Sequence, residues 1–322
     1  MYPFTFEPIL KEIIWGGTDI RPFKGLPAGS EKIGESWELS HVEGNYSTVA
    51  NGPLAGQTID DLIRRYGSTL LGKKTVQQFG TTFPLLIKFI DAQDNLSVQV
   101  HPDDRLAQQR HHSPGKTEMW YVVNATPGAT LYSGFSRPID ADEYLRRVAD
   151  NSLTDVLQRY DVAPGDVFFL PAGRVHAIGA GCFVAEIQQT SNITYRIYDY
   201  DRRDAEGNTR PLHVDLARDA IDYTASPDGR TTCTPIANTS VPLVTCKYFT
   251  TSLLYADKPI KRDLAALDSF VICILTEGSA LIRDNDGHEL ALHCGQTVLI
   301  PAATQHLQII PSPHVTLLET HV

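Results

Sequence analysis

Cysteine is scarce in this 322-residue chain, with five residues at 182, 233, 246, 273 and 294. The number is odd and no Cys-x-x-Cys spacing occurs, which argues against a disulfide framework and against a thiolate zinc site. A reducing compartment, the cytoplasm, is the expectation. No run of about eighteen apolar residues is present, so no membrane-spanning helix is expected. The opening Met-Tyr-Pro-Phe-Thr-Phe-Glu lacks the basic flank and apolar stretch of a secretory signal. Without such a signal, the Asn-x-Ser/Thr triplets at Asn45, Asn192 and Asn238 read as chance matches. Positive charge is in deficit as well, with 28 Lys and Arg against 38 Asp and Glu and a formal net charge of −10. No Lys/Arg cluster offsets it, so nucleic acid and anionic membranes are disfavoured as partners. A small anionic substrate needs only a local basic pocket. Lys88, Lys116 and Arg196 are its candidates, because each adjoins a motif rather than a solvated charge run.

The stretch from Ser97 to Val122 carries the densest chemistry. Gln99, His101 and Glu118 lie in short apolar runs of period-two character, which read as strands, and Gln99 and His101, two apart, share a face. A second stretch, Gly165 to His176, reads as a strand, a Pro171/Gly173 turn and a histidine opening the next strand. A lone histidine on an apolar strand is more often a satisfied core residue. Here His101, Glu118 and His176 fall on a motif whose later copy keeps a histidine only at the His176 position. Two histidines and a carboxylate suit a borderline-soft dication such as Zn²⁺, with one position left open for chemistry. Gln99 is either a fourth donor or an outer partner, since an amide is a poor zinc ligand.

Lys116, two residues before Glu118, is expected on the same face, where a nearby dication would lower its pKa toward that of a general base. Its bland reading is a surface lysine beside Gly115. Arg196 lies in the alternating run Tyr195-Arg-Ile-Tyr198, where an inward cation needs an anion; the alternative is an outward strand residue. Lys88 interrupts the apolar strand Phe83–Ile90, so it either snorkels to solvent or faces a polar cavity.

Taken in order, residues 1–57 read as strands flanking a β core. Ile59, Leu62, Ile63 and Tyr66, with Asp60 and Asp61 in the first turn, predict an amphipathic helix over 58–71. Asp140-x-x-Glu143 and Ser152-x-x-Asp155 read as caps of two short helices, a helical insertion over about 136–161. Strands resume at Val167–Leu170, Phe183–Gln189 and Thr194–Asp199, Val214–Tyr223 predicts a helix, and residues 224–240 are the linker candidate.

The Gly165…Pro171…Gly173…His176 pattern recurs as Gly295…Pro301…Ala303…His306, and repetition on this scale means two copies of one β unit. Counting back from glycine, Asp268 stands ten residues before Gly278 as Glu118 does before Gly128, and Thr251 stands seventeen before Asp268 as His101 does before Glu118. The second copy is therefore expected to bind no metal. The fold class expected is mainly β, two tandem antiparallel jelly-roll barrels, with residues 1–235 catalytic and 236–322 structural.

The combination Gln99-Val-His101-Pro-Asp-Asp, Gly115-Lys-Thr-Glu118-Met-Trp-Tyr, Gly173-x-x-His176-Ala-Ile-Gly and Glu186-Ile-Gln-Gln-x-Ser-x-x-Thr194-Tyr-Arg196 resembles the type I phosphomannose isomerases of the cupin superfamily, in their short bacterial form. The likeness extends to Trp15-Gly-Gly and Gly34-Glu-Ser-Trp37-Glu-Leu-Ser and so spans nearly the whole chain. It implies one Zn²⁺ per chain on His101, Glu118 and His176, with Gln99 adjoining, Arg196 as the active-site arginine and Lys116 beside the metal-binding glutamate. It also implies reversible isomerisation of mannose 6-phosphate and fructose 6-phosphate by proton transfer through an enediol. Ser97 and Lys88 are taken as phosphate contacts. Two other readings are a non-catalytic sugar-phosphate-binding cupin, which would be expected to have lost Lys116 or Arg196, and a cupin dioxygenase, since the same ligands suit Fe(II).

Overall fold

Side-chain alternation on three central strands sets the architecture of the computed structural model, which describes every residue except 205, 226–228 and 232. In Leu85–Ala92, Glu118–Ala125 and Cys182–Gln189, one parity carries Leu85, Ile87, Phe89, Met119, Tyr121, Phe183, Ala185 and Ile187. These pack against Ile272, Ile274, Leu299 and Leu318 of the C-terminal half and against Ile59, Leu62, Leu70 and Leu71. The other parity carries Lys88, Glu118, Trp120, Val122, Val184, Glu186 and Gln188, all buried. Each fully buried large apolar side chain contributes roughly 1.5–3 kcal/mol, so the apolar parity fixes the register and its polar opposite must follow.

The three strands form the centre of a seven-stranded antiparallel sheet. A five-stranded sheet contributes Val98–Val100, Thr130–Phe135, Leu157–Asp161, His176–Ile178 and Tyr195–Tyr198. An eight-stranded sheet of the C-terminal half holds a second core of Leu254, Val271, Cys273, Leu275, Ile300 and Leu317. The amino-terminal strand Phe4–Thr5 pairs with Val298 and Leu299 in that last sheet, tying the start of the chain to its end.

The expected strands are present, and the helices differ in their ends. Thr58 forms the capping box with Asp61, but Gly67 at φ 48° breaks the helix into Ile59–Tyr66 and Ser68–Leu71. In the insertion, Asp140 caps Ala141–Ala149 as read. The second expected helix is only a 3-10 turn, Leu153–Val156, because the Ser152 hydroxyl donates to Asp150 instead of capping it. The chain then returns as the strand Leu157–Asp161 along Thr130–Phe135. Val214–Arg218 is the helical part of the predicted 214–223 segment. The linker candidate 224–240 falls partly outside the described residues; within it, Arg230–Thr231 pairs with Val167–Phe168.

Strand pairing corrects part of the expected alignment between the two patterns. Leu170 lies opposite Glu118 and His176 opposite Gln99. Ile300 lies opposite Val271 and His306 opposite Asp263. Val271 therefore corresponds to Glu118 and Asp263 to Gln99, which makes Ala265 the counterpart of His101. Counting from glycine failed because Gly278 is no hairpin turn: it sits at register shifts inside the long strand Val271–Asp284. Asp268 instead accepts the N–H groups of Lys73 (2.9 Å) and Lys74 (3.1 Å), and the Thr251 hydroxyl pairs with Thr320 (2.9 Å). His306 is exposed, 3.7 Å from Asp263. His306→Ala should accordingly leave metal content at the parent value and stability within about 0.5 kcal/mol; elemental analysis showing loss of a stoichiometric ion would contradict this correspondence.

Candidate metal centre and polar cavity

The site lies between the seven- and five-stranded sheets. Glu118, opposite Leu170 and Gln188, comes from the first; His176, opposite Gln99 and Ser133, comes from the second. His101 follows the strand Val98–Val100, and its carbonyl accepts the Gly173 N–H at 2.9 Å, joining it to the turn that leads to His176.

Backbone carbonyls set both imidazoles. His101 Nδ1 donates to Ile193 O and His176 Nδ1 to Arg174 O, each at 2.9 Å. A carbonyl can only accept, so both Nδ1 atoms carry the proton and both Nε2 lone pairs turn inward. His176 Nε2 lies 3.3 Å from Glu118 Oε1 and His101 Nε2 3.5 Å from Glu118 Oε2. One ligand atom from each of the three residues falls within 4.8 Å of the others, so the trio could hold a metal ion. Gln99 Nε2 is 3.3 Å from His176 Nε2, beside the trio.

Around this trio runs a ladder of alternating charge. Lys116 Nζ hydrogen-bonds Glu118 Oε2, lies 3.1 Å from His101 Nε2, and stands 3.8 Å from Glu186 Oε1. Lys88 Nζ sits 3.3 Å from Glu186 and 3.5 Å from Glu35. The Trp120 indole N–H donates to Glu186 Oε2 at 2.8 Å. Three carboxylates against two ammonium groups leave one negative charge in excess in the ladder, and among the described residues none donates a hydrogen bond to Glu118 Oε1. Burial, then the Glu186 charge, push Glu118 up to about 7. Burial would raise Glu186 too, but Lys116 and Lys88 outweigh it and hold that carboxyl at about 2. Burial and Lys116 hold His176 down at about 3 and His101 well below its ordinary value. Neutral imidazoles, an orphaned carboxylate oxygen and an uncompensated negative charge together fit a divalent cation.

The ladder opens into a cavity of about 320 Å³. Ser97, Gln99, Lys116, Lys88 and Arg196 all line it, as does Trp15; His101, Glu118 and His176 lie one contact behind Gln99 and Lys116. Lys88 thus faces a polar cavity rather than solvent. Arg196 is half-buried, donates Nη1 to Pro211 O at 3.0 Å and has no partner for Nε among the described residues. Burial, then the neighbouring Arg210, lower its pKa. Sequence reasoning missed the cavity residues Glu35, Glu186, Arg210 and His213. Glu186 carried a usable signal, being a carboxylate on a buried strand directly opposite Lys88; Arg210 and His213, on an irregular segment, carried none.

The chain matches the family model described as phosphomannose isomerase type I, catalytic domain, over residues 4–122. It is 39% identical over 230 residues to mannose-6-phosphate isomerase ManA of Bacillus subtilis, covering 71% of each protein. It is 36% identical over 219 residues to the mannose-6-phosphate isomerase of Streptococcus mutans, covering 68% of this chain and 67% of that protein. The crystal structure of the mannose 6-phosphate isomerase from Bacillus subtilis superposes with a TM-score of 0.89 at 31% identity, covering 100% of both chains.

Metal binding at this trio requires Glu118 to be ionised, and its pKa is raised to about 7. Affinity for a divalent ion should therefore hold above neutrality and fall as the pH drops through about 7, whereas the histidines, already neutral, add no dependence there. Titration calorimetry between about pH 8 and about pH 6 reads this, and a flat affinity across that window would contradict the assignment of Glu118 as ligand.

Proposed function

The chain belongs to the type I phosphomannose isomerase family, and from that premise we propose that it interconverts D-mannose 6-phosphate and D-fructose 6-phosphate by proton transfer through an enediol, at a centre where His101, Glu118 and His176 hold one Zn²⁺. The observation that carries the ligand assignment is the orphaned Glu118 Oε1 beside two imidazoles tautomerised with Nε2 inward. When bound, a dication supplies positive charge that polarises the sugar oxygens. Gln99 adjoins the ligands as a fourth donor or as a partner of His176.

The remaining roles follow from charge and reach. Isomerisation moves a proton from C2 to C1 of the opened aldose, which needs a group at the cavity floor and positive charge near the developing enediolate. Lys116, whose Nζ faces the cavity from between Glu118 and Glu186, takes the proton as its neutral amine and then holds the enediolate as the ammonium it has become. Arg196, with an unpartnered Nε, supplies fixed positive charge to the anionic substrate or its enediolate. Ser97 and Lys88 are the proposed phosphate contacts. Of the two, Ser97 is the freer, because Lys88 already shares its charge with Glu35 and Glu186.

Two cupin-like units are proposed as the frame: residues 1–235, with the insertion at about 136–161, as the catalytic unit, and 236–322 as a unit without metal. The shared register of the Leu170/His176 and Ile300/His306 pairings supports the two-unit reading. No helix among the described residues is long and apolar enough to cross a membrane, and five free thiols fit a reducing cytoplasm.

The experiment is isomerisation in heavy water followed by NMR. Fructose 6-phosphate should form from mannose 6-phosphate with solvent deuterium appearing at C1. Formation with no solvent hydrogen at all would favour a hydride shift over the enediol, and failure to form fructose 6-phosphate would refute the proposed reaction.

A further inference from the structure

Asp104 opens the helix Asp104–His111, three residues after His101, and its carboxylate is shared between the two halves of the chain. Its Oδ1 accepts the Gly115 N–H at 3.1 Å and the Gln189 side-chain amide at 2.9 Å. Its Oδ2 accepts the Tyr248 hydroxyl at 2.7 Å and the Lys247 ammonium at 3.2 Å. Gln189 Oε1 in turn accepts the Thr117 N–H at 2.8 Å. Asp104 thus holds Gly115 directly and Thr117 through Gln189, the two residues on either side of Lys116, and Thr117 leads straight into Glu118.

The segment has little room to adjust. A Cβ on Gly115 would come within 2.6 Å of the backbone of Asp103 and Asp104, so glycine permits a close backbone approach that fixes the spacing between the His101 and Lys116 segments. The Lys116 N–H donates to Pro102 O at 3.1 Å across the same seam. Lys247 and Tyr248 belong to the turn between Thr239–Thr245 and Thr250–Ala256 of the C-terminal sheet. The Lys247 ion pair is exposed and adds little. The Tyr248 hydroxyl, on a half-buried ring, makes the shorter bond to a carboxylate, the stronger kind.

We infer that Asp104 is a positioning residue through which the C-terminal half, by the Tyr248 hydroxyl, sets where Lys116 and Glu118 stand. The inference rests on the isomerase reading above for its effect on turnover, but not for its effect on the segment itself. The C-terminal unit then acts on the reaction through one hydroxyl as well as by covering the outer face of the catalytic sheet.

Tyr248→Phe removes only that hydroxyl. It should speed amide hydrogen exchange at Gly115 and Thr117, and lower kcat by about three- to tenfold while KM and metal content stay at the parent values. Gln189→Glu sets a carboxylate against Asp104 and should lower kcat further. Adding Asp104→Asn restores a donor across that contact and should recover part of the loss, which a merely structural role would not do. Unchanged exchange at Gly115 and Thr117 in Tyr248→Phe would overturn the inference without touching the functional reading. Faster exchange with parental kcat per metal-loaded enzyme in both single variants would overturn the claimed effect on catalysis. A parent enzyme that binds metal but makes no fructose 6-phosphate would fail the functional reading alone, since exchange needs no substrate.

Discussion

Glu186 is the charge around which the site is built. It sits on a central strand, almost wholly buried, with Lys88 opposite in register and Lys116 on its other side as ion-pair partners of Oε1, while the Trp120 indole donates to Oε2. An isolated ion there would be untenable, and removing one member of such a buried set typically costs about 3–5 kcal/mol because its partner is left uncompensated. The two lysines in turn bring Glu35 and Glu118 into the same ladder. Because the ladder ends on a carboxylate in excess, the natural completion is a cation at Glu118, where two imidazoles already present lone pairs.

Holding five charged groups inside a protein requires strands that cannot slip. That constraint comes from the opposite parity of the same strands, where Ile87, Phe89, Met119, Phe183 and Ile187 pack on the C-terminal half. A one-residue shift would turn the charges into that apolar interface and the apolar side chains into the cavity. The C-terminal half is therefore part of what makes the site possible even though its own pattern positions carry Val271, Asp263 and Ala265 in place of Glu118, Gln99 and His101.

Much of this was legible in the chain because period two is a strong signal on buried strands. Gln99, His101, Glu118 and Lys116 were read onto strands or strand ends sharing a face, and Lys88 as either snorkelling to solvent or facing a polar cavity; Gln99, Lys116 and Lys88 line one cavity, and His101 and Glu118 lie together with His176 beside it. What was not legible depended on pairing between distant segments. Glu35 acquires its role from Lys88 across a sheet, and Arg210 from a loop whose course no local pattern specifies. The glycine count that aligned Asp268 with Glu118 failed for the same reason, since spacing along the chain cannot distinguish a hairpin turn from a bulge. Ser152 shows the local version: its hydroxyl had two partners to choose from, and it bonds Asp150, leaving the next helix as one 3-10 turn.

A divalent ion held by His101, Glu118 and His176 should be indispensable to isomerisation. The most direct measurement is fructose 6-phosphate formation from mannose 6-phosphate by the full chain before chelation, after removal of bound metal verified by elemental analysis, and after adding back one equivalent of Zn²⁺. Activity should disappear with the ion and return with it, at one ion per chain. Undiminished turnover by protein verified as metal-free would contradict it.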